Sequence, residues 1–310
     1  MVSVTGNLAV ESLSVRFTLP DARVSAVSDV SFSVSPGECL ALVGESGCGK
    51  SVLASALLGF LPGNAEVAGT AMLGSLDLLS ASDQVLSQQV RGRQIGLVPQ
   101  SPAAHLTPVR TARAQLDEAL RFLHPASERP SADSVAARAG LKPADLDLYP
   151  HQLSGGMAQR VATALALAGD PWLIIADEPT TGLDRALVDA LIDELRVLVA
   201  DGRAVLLITH DLSAARRVAD RIAVMYAGRF VEVGQAEEVL DAPRHPYTRG
   251  LVDSLPDRAF TPIPGLPPVL TDLPPGCAFT PRCDRVTDEC ADRPQLTRVN
   301  SHAVACHQPC

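Results

Sequence analysis

The sequence is short of basic side chains, aromatic side chains and long apolar runs. Lys and Arg number 26 against 35 Asp and Glu, giving a formal net charge of −9, and aromatic residues make up only 4% of the 310 residues. An acidic chain is poorly suited to general binding of nucleic acid. No apolar run approaches the ~18 residues that a membrane span requires. The stretch from Met1 to Gly6 lacks the features of a secretory signal, so we expect the chain on the cytoplasmic side.

Cysteine is scarce in most of the chain and concentrated at its end. Five of the seven cysteines lie between Cys277 and Cys310. In a reducing compartment such a cluster favours metal over disulfides. Cys277, Cys283, Cys290 and Cys306 lie in a Pro-rich segment with too few apolar residues to fold by packing alone, and a thiolate-bound metal would supply the missing stabilisation. Their spacing leaves zinc, a 4Fe–4S cluster and a bare thiol tail open.

One stretch has a specific chemical meaning. Residues 44–51 read GESGCGKS and fit the phosphate-binding pattern G-x-x-x-x-G-K-[ST]. An apolar run at 39–43 precedes them and an Ala- and Leu-rich run follows, so we predict strand, loop and helix. The glycines let backbone N–H groups turn inward at a helix N-terminus. Lys50 could reach the β- and γ-phosphates, and the Ser51 hydroxyl could bind Mg²⁺, so the sequence predicts a nucleoside triphosphate site.

Two acidic residues follow a second apolar run. Residues 173–176 predict a buried strand, and Asp177 and Glu178 come directly after it. In an open parallel sheet, ligands collect beyond the carboxyl ends of the strands. Asp177 could hold Mg²⁺ there, and Glu178 could accept a proton from an attacking water.

Four other positions carry weaker signals. Gln100 and His210 each follow an apolar run that predicts a strand. A histidine there could touch the γ-phosphate or be an ordinary hydrogen-bonded side chain. Ser154 stands as an N-cap before two glycines, at a helix start open enough for a phosphate. Phe17 lies in an alternating strand, where a core position is favoured over a stacking role.

The motifs also occur together in one order. The chain contains GESGCGKS, Gln100, LSGGMAQR, LIIADEP, TGLD and His210. In this combination it resembles the ATP-binding-cassette (ABC) ATPases over roughly residues 8–255, with LSGGM as the discriminating motif. A finer resemblance, to the oligopeptide and dipeptide permease ATPases, rests on YPHQLSGGMAQR, HPYTRGLVDSLP and GCAFTPRC with later cysteines ending in VACH. Ser101-Pro102 stands where the family commonly has an acidic residue, which leaves the solute open.

The resemblance implies a fold and a domain division. The expected class is α/β, with a P-loop ATPase core on a mostly parallel sheet, an antiparallel β subdomain and a helical insertion. A small Cys-rich C-terminal extension completes it. We place the nucleotide-binding domain at residues 4–255, its helical subdomain at about 101–168, and the Pro-rich linker with the metal-binding extension at 256–310.

The resemblance also implies roles for single residues. Phe17 is expected to stack on adenine, Gln100 to sense Mg²⁺ and the attacking water, and Asp184 to lie in a loop that crosses an ATPase dimer. The expected nucleotide-binding set is Phe17, Gly44, Glu45, Ser46, Gly47, Cys48, Gly49, Lys50, Ser51, Val52, Ser154, Gly155, Gly156 and Asp184. The expected catalytic set is Glu178, His210, Lys50 and Gln100. The expected Mg²⁺ ligands are Ser51, Gln100 and Asp177. For the four tail cysteines the resemblance favours a 4Fe–4S cluster over zinc.

The expected function follows from the same resemblance. We expect an ATPase subunit that couples ATP hydrolysis to the uptake of peptides, metal chelates or similar solutes. It would act in a head-to-tail dimer with a copy of itself or with a paralogue. Two permease subunits and an extracytoplasmic binding protein are the implied partners, with the chain peripheral at the cytoplasmic face. A soluble cassette ATPase acting on nucleic acid or ribosomes is one alternative, although the coiled-coil arms or tandem cassettes usual there are absent. An exporter subunit is another, against which the tail counts.

Overall fold

The computed structural model describes residues 6–310. Its strands are β1 (Leu8–Thr18), β2 (Arg23–Val34), β3 (Cys39–Val43), β4 (Ala65–Leu73), β5 (Leu76–Asp77), β6 (Ile95–Val98), β7 (Leu173–Asp177), β8 (Ala204–Thr209), β9 (Arg221–Tyr226), β10 (Arg229–Gln235), β11 (Thr297–Val299) and β12 (His302–Val304). Its helices are α1 (Lys50–Leu58), α2 (Asp83–Val85), α3 (Pro102–His105), α4 (Ala112–Leu123), α5 (Ala132–Arg138), α6 (Gly155–Leu167), α7 (Arg185–Ala200), α8 (Leu212–Val218), α9 (Ala236–Asp241) and α10 (Pro246–Asp253). The predicted domain start at residue 4 lies outside the described residues.

The chain forms two compact units. The first comprises the residues up to Val34 with 39–80 and 209–310, and we call it the P-loop unit because it contains the phosphate-binding pattern at residues 44–51. The second, the helical unit, comprises residues 35–38 and 81–208. None of the described helices is long and apolar enough to cross a membrane.

The P-loop unit contains an antiparallel sheet in the order β2-β1-β4-β5. The side chains of Leu13 and Val15 on β1 are buried, as the alternation of apolar and polar residues predicts. Leu8 and Val10 are buried as well, on the other side of an irregularity in the pairing with β2. A second group of strands surrounds β3, which pairs in parallel with β9. The predicted hairpin is confirmed, because β9 and β10 pair in antiparallel register around Ala227-Gly228.

The Cys-rich tail is part of the P-loop unit and contributes strands to it. β12 pairs with β10 and with β11, and Ala303, Val304 and Ala305 are buried. His302 Nε2 lies 2.6 Å from Glu232 Oε1 on β10, and both side chains are almost fully buried. The expectation that this segment is too poor in apolar residues to fold by packing is therefore wrong for residues 302–305, because a short strand can use the core of a neighbouring sheet.

The helical unit is built on three parallel strands. β7 pairs with β6 on one side and with β8 on the other, and nearly all of their side chains are buried. The predicted helical insertion is confirmed by α4, α5 and α6. On α4, Thr111 accepts a hydrogen bond from the Ala114 N–H as the N-cap, while Leu116 and Leu120 are buried. The unit thus joins a buried parallel sheet to amphipathic helices.

Candidate functional site

The loop of residues 44–51, which we call the P-loop, joins β3 to α1 as predicted. Lys50 is only 5% exposed, and its Nζ donates to the carbonyl oxygens of Gly44 at 2.7 Å and Glu45 at 3.0 Å. Ser51 is exposed, and Val52 is half-buried. Burial raises the pKa of the Cys48 thiol, although the nearby Lys50 acts in the opposite direction. A positive charge is therefore held inside the loop beside a neutral thiol.

Two glycines of the P-loop are required by close backbone approach. Gly49, the N-cap of α1, has φ 109°, and a Cβ there would lie 2.1 Å from the Ala26 carbonyl oxygen. A Cβ on Gly44 would lie 2.2 Å from the Met225 carbonyl oxygen. Backbone atoms cannot move aside cheaply, so only glycine fits. A glycine N-cap also leaves the start of α1 without a side chain over it, which suits a phosphate.

The outer face of the P-loop borders a cavity of about 510 Å³. Residues 45–48 form one wall, and Tyr226 with Ala227 form another. Residues 267–271 of the Pro-rich linker complete it. The linker therefore runs beside the phosphate loop, which the sequence pattern did not indicate.

Phe17 and His210 are also in the P-loop unit. Phe17, near the end of β1, is half-buried and so is not the core side chain that its strand pattern favours. This leaves part of the ring accessible for stacking. His210 is exposed and directly precedes Asp211, which caps α8 by accepting from the Ser213 and Ala214 N–H groups.

In the helical unit, the predicted catalytic residues follow neighbouring strands. Asp177 ends β7 and is half-buried, and Glu178 is 7% exposed. Val98 on β6 pairs with Ala176 on β7, so Gln100 and Glu178 each follow by two residues at the same edge. Gln100 is exposed. The parallel register therefore brings Gln100, Asp177 and Glu178 to the same end of the sheet.

Glu178 has an unusual backbone. Its φ is 48°, in the left-handed region that residues other than glycine rarely adopt, at a cost of about 1–2 kcal/mol. Its N–H donates to the Ile208 carbonyl oxygen at 2.8 Å, and its carbonyl accepts from the Thr181 N–H at 3.2 Å. These bonds fix the strained conformation directly after β7.

The LSGGM segment begins α6. Ser154 is the N-cap and accepts from the Met157 N–H at 3.3 Å, and both Ser154 and Gly155 are exposed. A Cβ on Gly156 would come within 2.6 Å of Leu187 Cδ2, so this glycine also serves packing against α7. Asp184 is the N-cap of α7 and accepts from the Leu187 N–H at 3.0 Å. The start of α6, at Ser154 and Gly155, is thus open to solvent, as predicted.

Two of the four tail cysteines, Cys283 and Cys306, have thiol pKa values raised mainly by burial. The pKa of Cys306 is raised to about 11, chiefly by burial and to a smaller extent by the charges of Cys277, Cys283 and Cys290, while a backbone hydrogen bond lowers it. Thiols must lose their protons before they can bind a metal. Within residues 6–310, however, no three or more His, Cys, Asp or Glu side chains are grouped so that they could hold a metal ion. The donor chemistry suits iron–sulfur or zinc, but the described geometry lends no support, so the metal centre stays a prediction.

Sequence reasoning missed two residues that contact the P-loop. The Glu45 N–H donates to the Tyr247 hydroxyl at 2.9 Å, and the Glu45 carboxylate pairs with Arg282. Both residues belong to strings that carry the finer resemblance, HPYTRG and FTPRC. The signal was therefore present, but nothing local in it points to the loop.

Fold and loop together define a P-loop ATPase built as an ATP-binding cassette. A family model described as ABC transporter matches residues 27–181, and one described as oligopeptide/dipeptide transporter, C-terminal region, matches residues 231–290. The chain belongs to the ABC transporter family of ATPases. The predicted family, fold class and ATPase activity are thereby confirmed.

Relatives cover nearly the whole chain. The oligopeptide transport ATP-binding protein OppD of Haemophilus influenzae is 41% identical over 94% of this chain and 94% of its own. The dipeptide transport ATP-binding protein DppD of Bacillus subtilis is 42% identical over 96% of this chain and 93% of its own. Among solved structures, the dimeric post-hydrolysis state of the cassette MJ0796 bound to ADP and Pi matches with a TM-score of 0.66 at 27% identity. It covers 74% of this chain and 98% of that one.

Proposed function

We propose that this chain is the ATP-hydrolysing subunit of a membrane importer for peptides or similar small solutes. The observation that carries the proposal is the presence, in one chain, of an ABC transporter match and the oligopeptide/dipeptide transporter C-terminal region. The relatives named for oligopeptide and dipeptide transport support the same substrate class. Ser101-Pro102 after Gln100 leaves the particular solute, a peptide or a metal chelate, to experiment.

The P-loop would bind the triphosphate of ATP. Lys50 would exchange its carbonyl partners in the loop for the β- and γ-phosphates, and the amides at the start of α1 would surround them. Phe17 would stack on the adenine, and His210 would contact the γ-phosphate. The observed burial of Lys50 supports this role, because a desolvated charge interacts strongly with an anion.

The hydrolytic step would depend on carboxylate and amide oxygens. Ser51, Gln100 and Asp177 are oxygen donors of the kind that Mg²⁺ prefers, and we propose that they hold it. Bound Mg²⁺ would supply neutralising charge for the transferred phosphoryl group. Glu178 would accept the proton of the attacking water that Gln100 orients, while Lys50 stabilises the developing negative charge.

A second ATPase chain, either a copy or a paralogue, would complete the site. Ser154, Gly155 and Gly156 would cover the γ-phosphate bound by the opposing chain, and Asp184 would lie at the contact. The exposure of Ser154 and Gly155 at a helix N-terminus supports this role. The solved dimer of a similar cassette supports a paired arrangement.

We place the chain at the cytoplasmic face of a membrane, held there by two permease subunits that receive solute from an extracytoplasmic binding protein. The segment after Gln100 is the proposed permease contact. Val109 in that segment is 80% exposed and is therefore accessible to a partner.

Affinity purification from membranes of the source cells tests the proposal. Tagged chain carrying Glu178→Gln, which should hold ATP without turnover, is expected to retain two polytopic permeases, and cells lacking the chain should lose uptake of labelled peptides. The exposed Val109→Asp variant should lose the permeases while keeping ATP binding. Recovery of ribosomal or nucleic-acid-binding proteins in their place, or unaffected uptake with enhanced efflux, would contradict the importer assignment.

We propose separately that Cys277, Cys283, Cys290 and Cys306 hold a metal centre, with a 4Fe–4S cluster ahead of zinc. The donor chemistry supports this proposal, because thiolates are the usual ligands of iron–sulfur clusters and of structural zinc. Anaerobically purified protein should then be brown and contain about four irons per chain. Cys283→Ser should be colourless, whereas Cys310→Ser, which alters an exposed cysteine outside the set, should keep the colour. Stoichiometric zinc, or four freely titrating thiols, would refute the cluster.

A further inference from the structure

Glu45 of the P-loop is held through both its backbone and its side chain. Its N–H donates to the Tyr247 hydroxyl at 2.9 Å, and its carbonyl oxygen accepts from Lys50 Nζ at 3.0 Å. Its carboxylate accepts from both terminal nitrogens of Arg282, at 2.7 and 3.0 Å. The same residue thus connects the phosphate-binding lysine to a helix and to the Cys-rich tail.

The pair between Arg282 and Glu45 is bidentate and largely desolvated. The Arg282 side chain is 3% exposed and that of Glu45 is 27% exposed. Arg282 Nε donates to the Pro264 carbonyl oxygen at 2.9 Å, and Nη1 lies 3.3 Å from the Tyr226 hydroxyl. A planar guanidinium with most of its donors used can adopt few alternative positions. Arg282 therefore fixes the Glu45 carboxylate in one place.

A cluster of three aromatic rings packs around the residues that contact Glu45. The rings of Tyr226, Tyr247 and Phe279 lie with centroids 4.4 to 5.5 Å apart, and each is at most 3% exposed. Phe279 comes from the tail, three residues before Arg282. Close packing of this kind resists small displacements. A movement of the tail would therefore move the residues that hold Glu45.

We infer that Arg282 is a positioning residue for nucleotide binding, which holds the P-loop through Glu45 and links its geometry to the Cys-rich tail. Arg282 acts on Lys50 through Glu45. Without it, the first half of the loop could relax and Lys50 would no longer be presented to phosphate in one geometry. Cys283 directly follows Arg282, so a change in the state of the tail thiols would reach the loop by the same route.

The inference rests on the proposed role of residues 44–51 in binding ATP, and a separate variant tests that role. Lys50→Ala should abolish binding of a non-hydrolysable ATP analogue by the full chain. If Lys50→Ala bound the analogue normally, the loop assignment would fail. If only Lys50→Ala lost binding and the Arg282 variants did not, the loop assignment would survive and the present inference would fall.

Arg282→Gln is the direct test. We expect its dissociation constant for the analogue to rise roughly 3- to 30-fold, with the turnover number at saturating ATP within about twofold of wild type. Arg282→Lys should recover only part of the affinity, because an ammonium group cannot pair in a bidentate fork. Unchanged affinity, or lost turnover with unchanged affinity, would overturn the inference.

Arg249→Gln is the matched control. Arg249 on α10 donates from Nη2 to both carboxylate oxygens of Asp284, at 2.8 and 2.7 Å, and so also joins the tail to the body of this unit. Its described hydrogen bonds do not include the P-loop. Arg249→Gln should leave nucleotide affinity unchanged. An equal loss in both variants would show general loosening of the tail and would overturn a specific role for Arg282.

A double variant separates positioning from a general loss of stability. Glu45→Gln removes the same pair from the loop side and remains informative if Arg282→Gln does not fold. Because one interaction is broken in each case, Glu45→Gln with Arg282→Gln should bind the analogue no more weakly than the poorer single variant. Fully additive losses in affinity would show that the two side chains act independently, contrary to the inference.

Discussion

The P-loop and the start of α6, both proposed to bind phosphate, are of opposite construction. Lys50 is buried, and Glu45 beside it is held by Tyr247 and Arg282. Ser154 and Gly155 at the start of α6 are exposed to solvent. A rigid, internally supported loop suits binding of the chain's own nucleotide, whereas an open helix start suits a nucleotide that arrives with another chain. The proposed division of roles thus has a counterpart in how each element is supported.

The largest effect is expected from Glu178→Gln, which separates chemistry from binding. The amide cannot take a proton from water, so turnover should fall roughly a hundredfold to ten-thousandfold. The P-loop is untouched, so ATP affinity should stay near wild type and the variant should accumulate as an ATP-bound dimer. Phosphate release and gel filtration with ATP measure the two properties. Turnover at the wild-type rate would show that another group is the base.

Ser154→Arg tests the proposed role of the exposed start of α6. A long cation at the N-terminus of α6 would block approach of a phosphate and oppose the helix dipole. Turnover should fall about a hundredfold to a thousandfold, as for other losses of transition-state hydrogen bonds. ATP binding by the isolated chain should remain nearly intact, as nucleotide titration of the dilute protein would show. An equal loss of binding would contradict the two-chain site.

Local spacing predicted the elements that carry these residues. The strand expected at residues 39–43 is β3, the helix after the P-loop is α1, and the run at 173–176 is β7 with one residue more. Each has an apolar pattern that repeats within a few residues and a turn signal at its end. The motif residues are tied to those ends, so their positions followed as well.

Contacts between distant segments could not be predicted in this way. Arg282 and Glu45 are 237 positions apart, and β12 completes its pairing with β10 some 70 positions away. Neither contact leaves a period in the sequence, because each depends on how the whole unit packs. The strand pattern of Phe17 failed for a related reason, since a half-buried position at a strand end has no distinct local sign.

Two glycine substitutions, one in the P-loop and one at the start of α6, should differ in their effect on the free energy of unfolding. Gly49→Ala adds a Cβ 2.1 Å from a carbonyl oxygen at φ 109°, and should cost roughly 2–5 kcal/mol in unfolding free energy. Gly155→Ala meets only Leu183 Cδ2 at 3.9 Å, so stability should change by less than about 1 kcal/mol while turnover falls. Urea unfolding and ATPase assays of both variants check this. Comparable destabilisation by the two would remove the distinction between a supported loop and an open helix start.

The smallest effect is expected from His245, a buried imidazole next to Phe279 of the aromatic cluster. Burial lowers the pKa of His245 to about 3, against the weaker opposing effect of a hydrogen bond with the Ala305 backbone. The unfolded chain would bind a proton near pH 6.5, so it holds more protons than the folded chain between these values and stability is lost as pH falls. The loss from pH 7 to pH 5 should be about 2 kcal/mol. In urea unfolding, the free energy of unfolding of His245→Asn should fall by about 2 kcal/mol less than that of wild type between pH 7 and pH 5, and the asparagine can still cap α10. His151→Asn, which removes an exposed imidazole, is the control and should follow the wild-type profile. Identical pH profiles for wild type and His245→Asn would show that the folded protein accommodates the charged imidazole, and that the support beneath the P-loop is less rigid than its burial indicates.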